Sequence, residues 1–417
     1  MSDKRGDQQK VPWGDREMTF KDFALVGGLL FMLTIAAGAA IFYVSQNLPE
    51  EVVKATRPAV PPPVVETILF PPLAVLPAPP FPPDNPFSDD KVELGMLLYF
   101  DNRMSGDGSL SCNSCHPASD GSWGIASPIS FGYPGSSHWR NASTIINSAY
   151  YSKLNWDGSK TSIEKQNKGA WGGAVGANVD SGMAEERLAQ IPEYRDRFQE
   201  VFGTDYPLFS DAYKAVATFQ RTIVSQNVPF DAFITGDESA ISESAARGYD
   251  LFTGNAGCIS CHNGALISDD TFHNTGVPSY PGFENNPINQ ITFRYEQWAK
   301  GVSEQIYDEA TEDLGFYYST KLDSDKGKFR TPGLRDVCYT APYMHNGAFG
   351  TLEEVVAFYN AGGGDHPNKD SALKPLNLST EEQADLVSFL ESLCGDKITF
   401  DAPELPPYEP WPNIGGN

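Results

Sequence analysis

The pentapeptide Cys112–His116, CNSCH, recurs as Cys258–His262, CISCH. Each copy places two thiols and an imidazole within one short turn, and this constrains the fold more than any hydrophobic pattern in the chain. Three chemistries use such a cluster. A structural zinc ion takes four N or S ligands in a tetrahedron, and each copy offers three, bunched too tightly to enclose an ion. A thioredoxin-like redox pair needs a βαβ setting, and no such alternation flanks either copy. Covalent haem c needs two thiols to add to the porphyrin vinyl groups and a neighbouring histidine to sit under the iron. Two copies in matching surroundings favour this third reading. Cys112, Cys115 and His116 would hold one haem, and Cys258, Cys261 and His262 a second.

The surroundings match because each motif follows a short amphipathic helix and a Gly-containing loop. The helices are expected at Val92–Tyr99 and Ala245–Phe252. Elsewhere the apolar spacing is helical. Tyr213, Val216, Ala217, Gln220, Ile223 and Val224 mark one helix face, capped near Ser210. Ser379 and Glu382 form a capping box ahead of Leu386, Phe389, Leu390 and Leu393. Thr351 and Glu354 form another ahead of Leu352, Val355, Val356 and Tyr359. No run of alternating strands appears, and the long stretch of roughly 264–330 is read as a functional or surface-wrapped loop. The fold class is therefore mainly α: one supersecondary unit used twice, as two cytochrome c-like haem domains with long loops, at 87–236 and 237–400, with a tail at 401–417.

Two further segments precede these domains. Phe23–Val44 is uncharged and apolar, and at ~1.5 Å rise per residue it spans ~33 Å, enough to cross a bilayer. It exceeds the ~7–15-residue apolar region of a cleaved signal, so an uncleaved transmembrane anchor is expected. Residues 1–22 carry five Lys/Arg and the 15 residues after the apolar segment carry two, Lys54 and Arg57. That bias puts residues 1–22 in the cytoplasm and everything after residue 45 outside. Residues 45–86 form a linker whose stretch 58–86 holds 12 prolines. It is read as a stiff tether, since a run without backbone donors forms neither helix nor sheet. The net charge of −24, from 54 acidic and 30 basic side chains, repels nucleic acid and suits a cationic protein partner.

Across roughly 87–395 the chain resembles the bacterial di-haem cytochrome c peroxidases and their MauG-type relatives. The resemblance is carried by LLYFDNRMSGDGSLSCNSCH, WRNASTIINSAY, NWDGSK, RGYDLFTGNAGCISCHNG and FRTPGLRDVCYTAPYMHNGAFGTLEEVVAFYNAGG. It implies that the His116 haem reacts with hydrogen peroxide and that the His262 haem transfers electrons. Periodicity alone makes Tyr359 a core residue. The resemblance makes it the distal ligand of the second iron, where peroxidases carry methionine and MauG-type proteins tyrosine. A thioether favours reduced iron, whereas a hard phenolate favours oxidised iron. Trp156 matches a tryptophan between the haems, and Asn141, Thr340 and Pro342 match an inter-haem Ca²⁺ site built from oxygen ligands. Met344 is read as packing, and His345 as a structural or haem-side hydrogen-bonding residue.

One departure bears on activity. The family places a glutamate after a Gln-x-x-Gly-Pro stretch, to move a proton between the peroxide oxygens. Here Gln166 and Gly169 are kept, Ala170 stands for the proline, and VGANVD replaces the glutamate. Asp180 is the candidate substitute, with Glu185 next nearest. His138 is read as a surface histidine, with capping of the first iron as the other reading. Cys338 and Cys394 either pair or stay as buried thiols. The expected function is a di-haem c oxidoreductase using hydrogen peroxide. Its electrons would come from a small cytochrome or cupredoxin, or from a side chain of a partner protein oxidised in MauG-like fashion. The alternative is an electron-transfer cytochrome without peroxide chemistry.

Overall fold

The computed structural model describes residues 70–408 apart from 134 and 281–284. The expected anchor at 23–44 and most of the linker lie outside the described residues, among which no helix is long and apolar enough to cross a membrane.

The architecture is helical, with only two two-stranded sheets among the described residues: β1 (Phe131–Gly132) with β2 (Ser136–Ser137), and β3 (Phe272–His273) with β4 (Phe329–Arg330). In chain order the main helices are α1 (Asp89–Phe100), α2 (Ile163–Gly172), α3 (Ser181–Ala189), α4 (Pro192–Phe202), α5 (Phe209–Gln220), α6 (Glu243–Thr253), α7 (Pro287–Ala299), α8 (Glu304–Glu309), α9 (Leu352–Asn360) and α10 (Thr380–Ser392). Side-chain caps start most of them, satisfying backbone N–H groups that a first turn leaves free. Ser88 caps α1, Ser162 α2, Ser242 α6, Thr351 α9 and Ser379 α10, the last two as full capping boxes. The helix expected to start near Ser210 starts at Phe209 without a side-chain cap, and it ends before Ile223 and Val224. Inside the expected loop 264–330 lie α7 and α8.

Two cores stand out. The first gathers α1, α4 and α5 around Leu98, Tyr99, Trp123, Phe198 and Phe219. The second gathers α6, α9 and α10 around Phe230, Phe252, Val356 and Phe389. Both rest on one device, a helix pair crossing at a glycine. A Cβ on Gly95 of α1 would lie 2.1 Å from the Ala215 carbonyl oxygen of α5. A Cβ on Gly248 of α6 would lie 2.0 Å from that of Asp385 in α10.

A second duplication follows each haem motif. Left-handed residues Asn147, Asn155 and Gly158 in the first half recur at one constant offset as Asp336, Met344 and Gly347 in the second. Short helical turns at Ser148–Tyr150 and Val337–Tyr339, and bridges Leu154–Lys160 and Tyr343–Phe349, recur at that same offset. So do the N-caps Ser162 and Thr351. Under this register Trp156 matches His345, Asn141 matches Arg330, and Ala170 matches Tyr359. The copies interlock reciprocally: Asn141 N–H donates to the His345 carbonyl at 2.8 Å, and Arg330 N–H to the Trp156 carbonyl at 2.9 Å.

The proline-rich stretch corrects one expectation. Residues 70–86 lack helix and sheet, as their prolines require. They do not stand free as a tether. Leu73 is buried in the second core, Arg335 donates to the Ala74 carbonyl, and Tyr150 donates to that of Pro77. Asn85 is buried and bonds Glu164 and the Lys214 carbonyl. This segment is a strap across both halves. The chain end crosses back as well: Phe400 packs on Trp123, whose indole N–H donates to the Ile398 carbonyl. Cys338 and Cys394 form a disulfide between the turn before Thr340 and the end of α10.

Candidate di-haem site

Cys112–Cys115 form a single helical turn capped by Ser111, and Cys258–Ser260 a tighter one. In each turn the histidine backbone N–H donates to the first cysteine's carbonyl, His116 to Cys112 at 3.0 Å and His262 to Cys258 at 2.9 Å, which closes the motif on itself. Burial pushes the Cys112 and Cys258 thiols up to about 12.

Each histidine is held by the nitrogen that iron would not use. His116 Nδ1 bonds the Trp123 carbonyl at 3.1 Å, and His262 Nδ1 bonds that of Ile267 at 3.2 Å. A carbonyl can only accept, so Nδ1 carries the hydrogen and Nε2 keeps its lone pair. Burial lowers the proton affinity of both rings, keeping them neutral. Two cysteines and a neutral, oriented imidazole in each turn fit a covalent haem.

Tyr359, on α9, faces the second motif. Its hydroxyl affinity for the proton is raised by burial first, then by the nearby Cys261 and Cys258 sulfurs, and is eased by a bond with Thr275. The expected ligand position is therefore beside the CISCH turn. The matched residue in the first half is Ala170, which has no ligating atom. That half encloses its motif differently. Trp171 lies against the Cys112 sulfur, and the Cys115 thiol donates to the Phe131 carbonyl at 3.3 Å. The Oε1 of Gln166 is buried without a partner.

Two expectations are corrected here. Asp180 is exposed and caps α3, accepting from Met183 N–H at 3.0 Å. Its carboxylate serves as the cap of this helix. Glu185 accepts from Phe209 N–H. His138 is not a free surface ring. Its Nε2 meets the Val175 carbonyl at 2.8 Å, and burial keeps it neutral. That bond ties β2 (Ser136–Ser137) to the 173–179 loop, which Tyr133 N–H also holds through the Gly176 carbonyl. The loop contains no carboxylate, and a Cβ on Gly176 would fall 2.3 Å from the Ala170 carbonyl.

Between the motifs, Trp156 donates its indole N–H to the Asn141 carbonyl at 3.0 Å. Asn141 Nδ2 donates to the carbonyls of Ile125 and Ser127, which leaves Oδ1 as the atom a cation would use. Its backbone bond to His345 brings it to the segment holding Thr340 and Pro342. His345 is buried and stacked on Phe329 at 3.6 Å, and burial lowers it to about 4. Met344 sits in a left-handed turn. Sequence reasoning missed the ionic lattice beside Trp156. There Arg140 pairs with Asp313 at 2.5 Å and Asp157 at 3.0 Å, and Lys300 reaches Asp157 at 3.3 Å. The shared turn pattern of NWDG and MHNG was the signal that would have exposed the duplication.

One other cluster has metal-like donors among the described residues: Cys261, Asp269 and His273. Both ring nitrogens of His273 meet carboxylates, Nε2 with Asp269 at 2.8 Å and Nδ1 with Asp370 at 2.7 Å. Hydrogen bonds to Asp269 first, then to Cys261 and Asp370, raise the proton affinity of His273 to about 11.

The profile of the family described as di-haem cytochrome c peroxidase matches residues 89–239. Cytochrome-c peroxidase IdrP1 of Denitromonas iodatirespirans is 54% identical over 345 residues, covering 82% of this chain and 92% of that protein. The chain belongs to the di-haem cytochrome c peroxidase family. Methylamine utilization protein MauG of Methylorubrum extorquens is 35% identical over 329 residues, covering 78% of this chain and 84% of the relative. Among solved structures, a MauG-like protein associated with microbial copper homeostasis matches with a TM-score of 0.66 at 30% identity, covering 78% of this chain and 94% of that one. The diheme peroxidase BthA of Burkholderia thailandensis shares the fold, with a TM-score of 0.60 at 21% identity over 77% of this chain and 90% of that one. The family carries two covalent haems, and the chain is an oxidoreductase of this kind.

Proposed function

We propose that the chain is a periplasmic peroxide-using oxidoreductase, tethered to the inner membrane through residues 23–44, whose His116 site is open and whose His262 site is closed by Tyr359. The observation that carries this reading is the pairing of Tyr359 beside the second motif with Ala170 at the matched place in the first. Each haem, when bound, supplies an iron that exchanges single electrons, and the one lacking a distal protein ligand supplies a place for hydrogen peroxide. The protein does the rest. Carbonyls of Trp123 and Ile267 orient the two imidazoles. Thr275 orients the Tyr359 hydroxyl. Trp156, held by Asn141, provides an oxidisable indole between the motifs, and Asn141, Thr340 and Pro342 hold a calcium ion that stiffens this junction.

The 54% relative named as a cytochrome-c peroxidase supports reduction of peroxide by a small electron-carrier protein. Its fit to an acidic chain is a basic surface. Tyr359 supports a second reading, oxidation of a partner protein's side chain, because an anionic oxygen ligand disfavours storage of a reducing electron. The 173–179 loop lacks an acid, and general acid–base help is worth about 10²–10⁴-fold, so peroxide activation is expected to be slow within the family. Stopped-flow mixing of diferric protein with one equivalent of peroxide tests the reading. Bleaching of the Soret band supports it. An unchanged spectrum in excess peroxide, with both haems reduced normally by a one-electron donor, leaves an electron-transfer cytochrome.

A further inference from the structure

Arg330 is buried, at 5% exposure, and its guanidinium lies 3.6 Å over the Tyr151 ring. Neither Nε nor Nη1 has a partner. No carboxylate pairs with it among the described residues. The other deeply placed arginines are each neutralised: Arg140 by Asp313 and Asp157, Arg221 by Glu164, Arg335 by Asp231. A guanidinium cannot shed its proton inside a protein, and buried charges are paired. An aromatic face offers a cation only part of the attraction of an anion. The empty donors of Arg330 therefore call for an anion that the chain itself does not supply.

Its position says which anion. Arg330 belongs to β4 (Phe329–Arg330), which pairs with β3 (Phe272–His273). Its N–H bonds the Trp156 carbonyl. Two residues on, the Pro332 backbone reaches the ring of His262. Arg330 thus sits between the indole at the junction and the second haem's histidine. The duplication sharpens the point: its counterpart in the first half is Asn141, whose free Oδ1 suits a bound cation. One copy offers an oxygen there and the other a fixed positive charge.

We propose that Arg330 is the anchor for a haem propionate at the junction of the two halves, and that its charge raises the reduction potential of the haem it holds. A propionate offers two oxygens in the plane and spacing that a guanidinium fork bonds. A fixed cation beside a haem favours the state with the extra electron, so losing it lowers the potential.

The inference rests on both motifs carrying haem. Intact mass and haem staining of each variant settle haem content before any potential is read, so a failure of that reading is seen separately. The test is a spectroelectrochemical titration of the full-length holoprotein carrying Arg330→Gln, Arg330→Lys or Tyr151→Leu. Arg330→Gln is expected to shift at least one midpoint potential negative. Arg330→Lys, which keeps the charge and loses the fork, should shift the same midpoint less. Tyr151→Leu removes the stack and leaves the ion pair, so it should lower thermal stability without moving either potential. If Arg330→Gln fails to accumulate, Arg330→Lys decides alone. Two haems with both potentials unchanged in the arginine variants, or equal shifts in Arg330→Lys and Tyr151→Leu, would overturn the proposal and make Arg330 a packing residue.

Discussion

Ala170 and Tyr359 occupy the same place in two copies of one repeat, eight residues past the caps Ser162 and Thr351. One side chain ends at a methyl group and the other in a buried hydroxyl beside the CISCH turn. The copies share glycine crossings, left-handed turns and histidine clamps. What separates them at this place is a side chain that could ligate an iron. In the function proposed above, that one difference assigns one half to ligand binding and the other to electron exchange.

The largest effect should come from removing that difference. Tyr359→Phe should replace one of the two ferric signals in low-temperature electron paramagnetic resonance and leave the other untouched. A spectrum identical to wild type would return Tyr359 to the core and make the halves alike. Next is the pair Glu164–Arg221, with side chains 13% and 6% exposed, which ties α2 to α5 and the strap in the first half. Burial alone would raise Glu164, but bonds from Arg221 and Asn85 overcome it and hold the carboxyl at about 2, below its ordinary 4.5. The unfolded chain therefore binds the extra proton first. The stabilisation is full above about pH 4.5 and is lost as pH falls toward about 2. Breaking such a pair from one side costs about 3–5 kcal/mol. Glu164→Gln should show that loss in denaturant titrations at pH 7 and a flatter acid limb. Glu353, the matched residue, is exposed, and Glu353→Gln should stay within about 0.5 kcal/mol.

Smaller and symmetric effects are expected at the crossings. Gly95→Ala and Gly248→Ala each force a methyl onto a backbone carbonyl, and overpacking of this kind costs about 1–3 kcal/mol. Similar losses in the two variants would confirm that the cores share one design, and a loss in one alone would break the parallel. The smallest effect belongs to Asp180. Asn caps a helix as well as Asp does, so Asp180→Asn should leave both stability and the rate of peroxide reaction unchanged. A rate loss of tenfold or more would restore Asp180 to catalysis.

Much of this was legible in the chain because it is written locally. CNSCH and CISCH state their chemistry in five residues, and Ser379 with Glu382, or Thr351 with Glu354, mark helix starts by a contact three residues long. Tyr359 needed the family resemblance, since its helical spacing equally suits a core residue. What was hidden depends on contacts far apart in sequence. Prolines in 70–86 announce an extended chain but not that Leu73 and Asn85 dock it. Asp180 read as an acid because its bond to Met183, a local one, was not weighed against the loop it flanks. His138 read as exposed because the carbonyl it meets lies 37 residues away. Arg330 lies in the quoted stretch FRTPGLRDV, where nothing local assigns it a role, and only its empty donors inside the fold single it out.

The most direct test of the account is a titration of the ferric, two-haem protein with cyanide, which binds wherever an iron lacks a strong distal ligand. One equivalent should bind per wild-type chain, with prior cyanide blocking the peroxide reaction, and two per chain in Tyr359→Phe. Two equivalents in the wild type, or none, would contradict the claim that one half is open and the other closed.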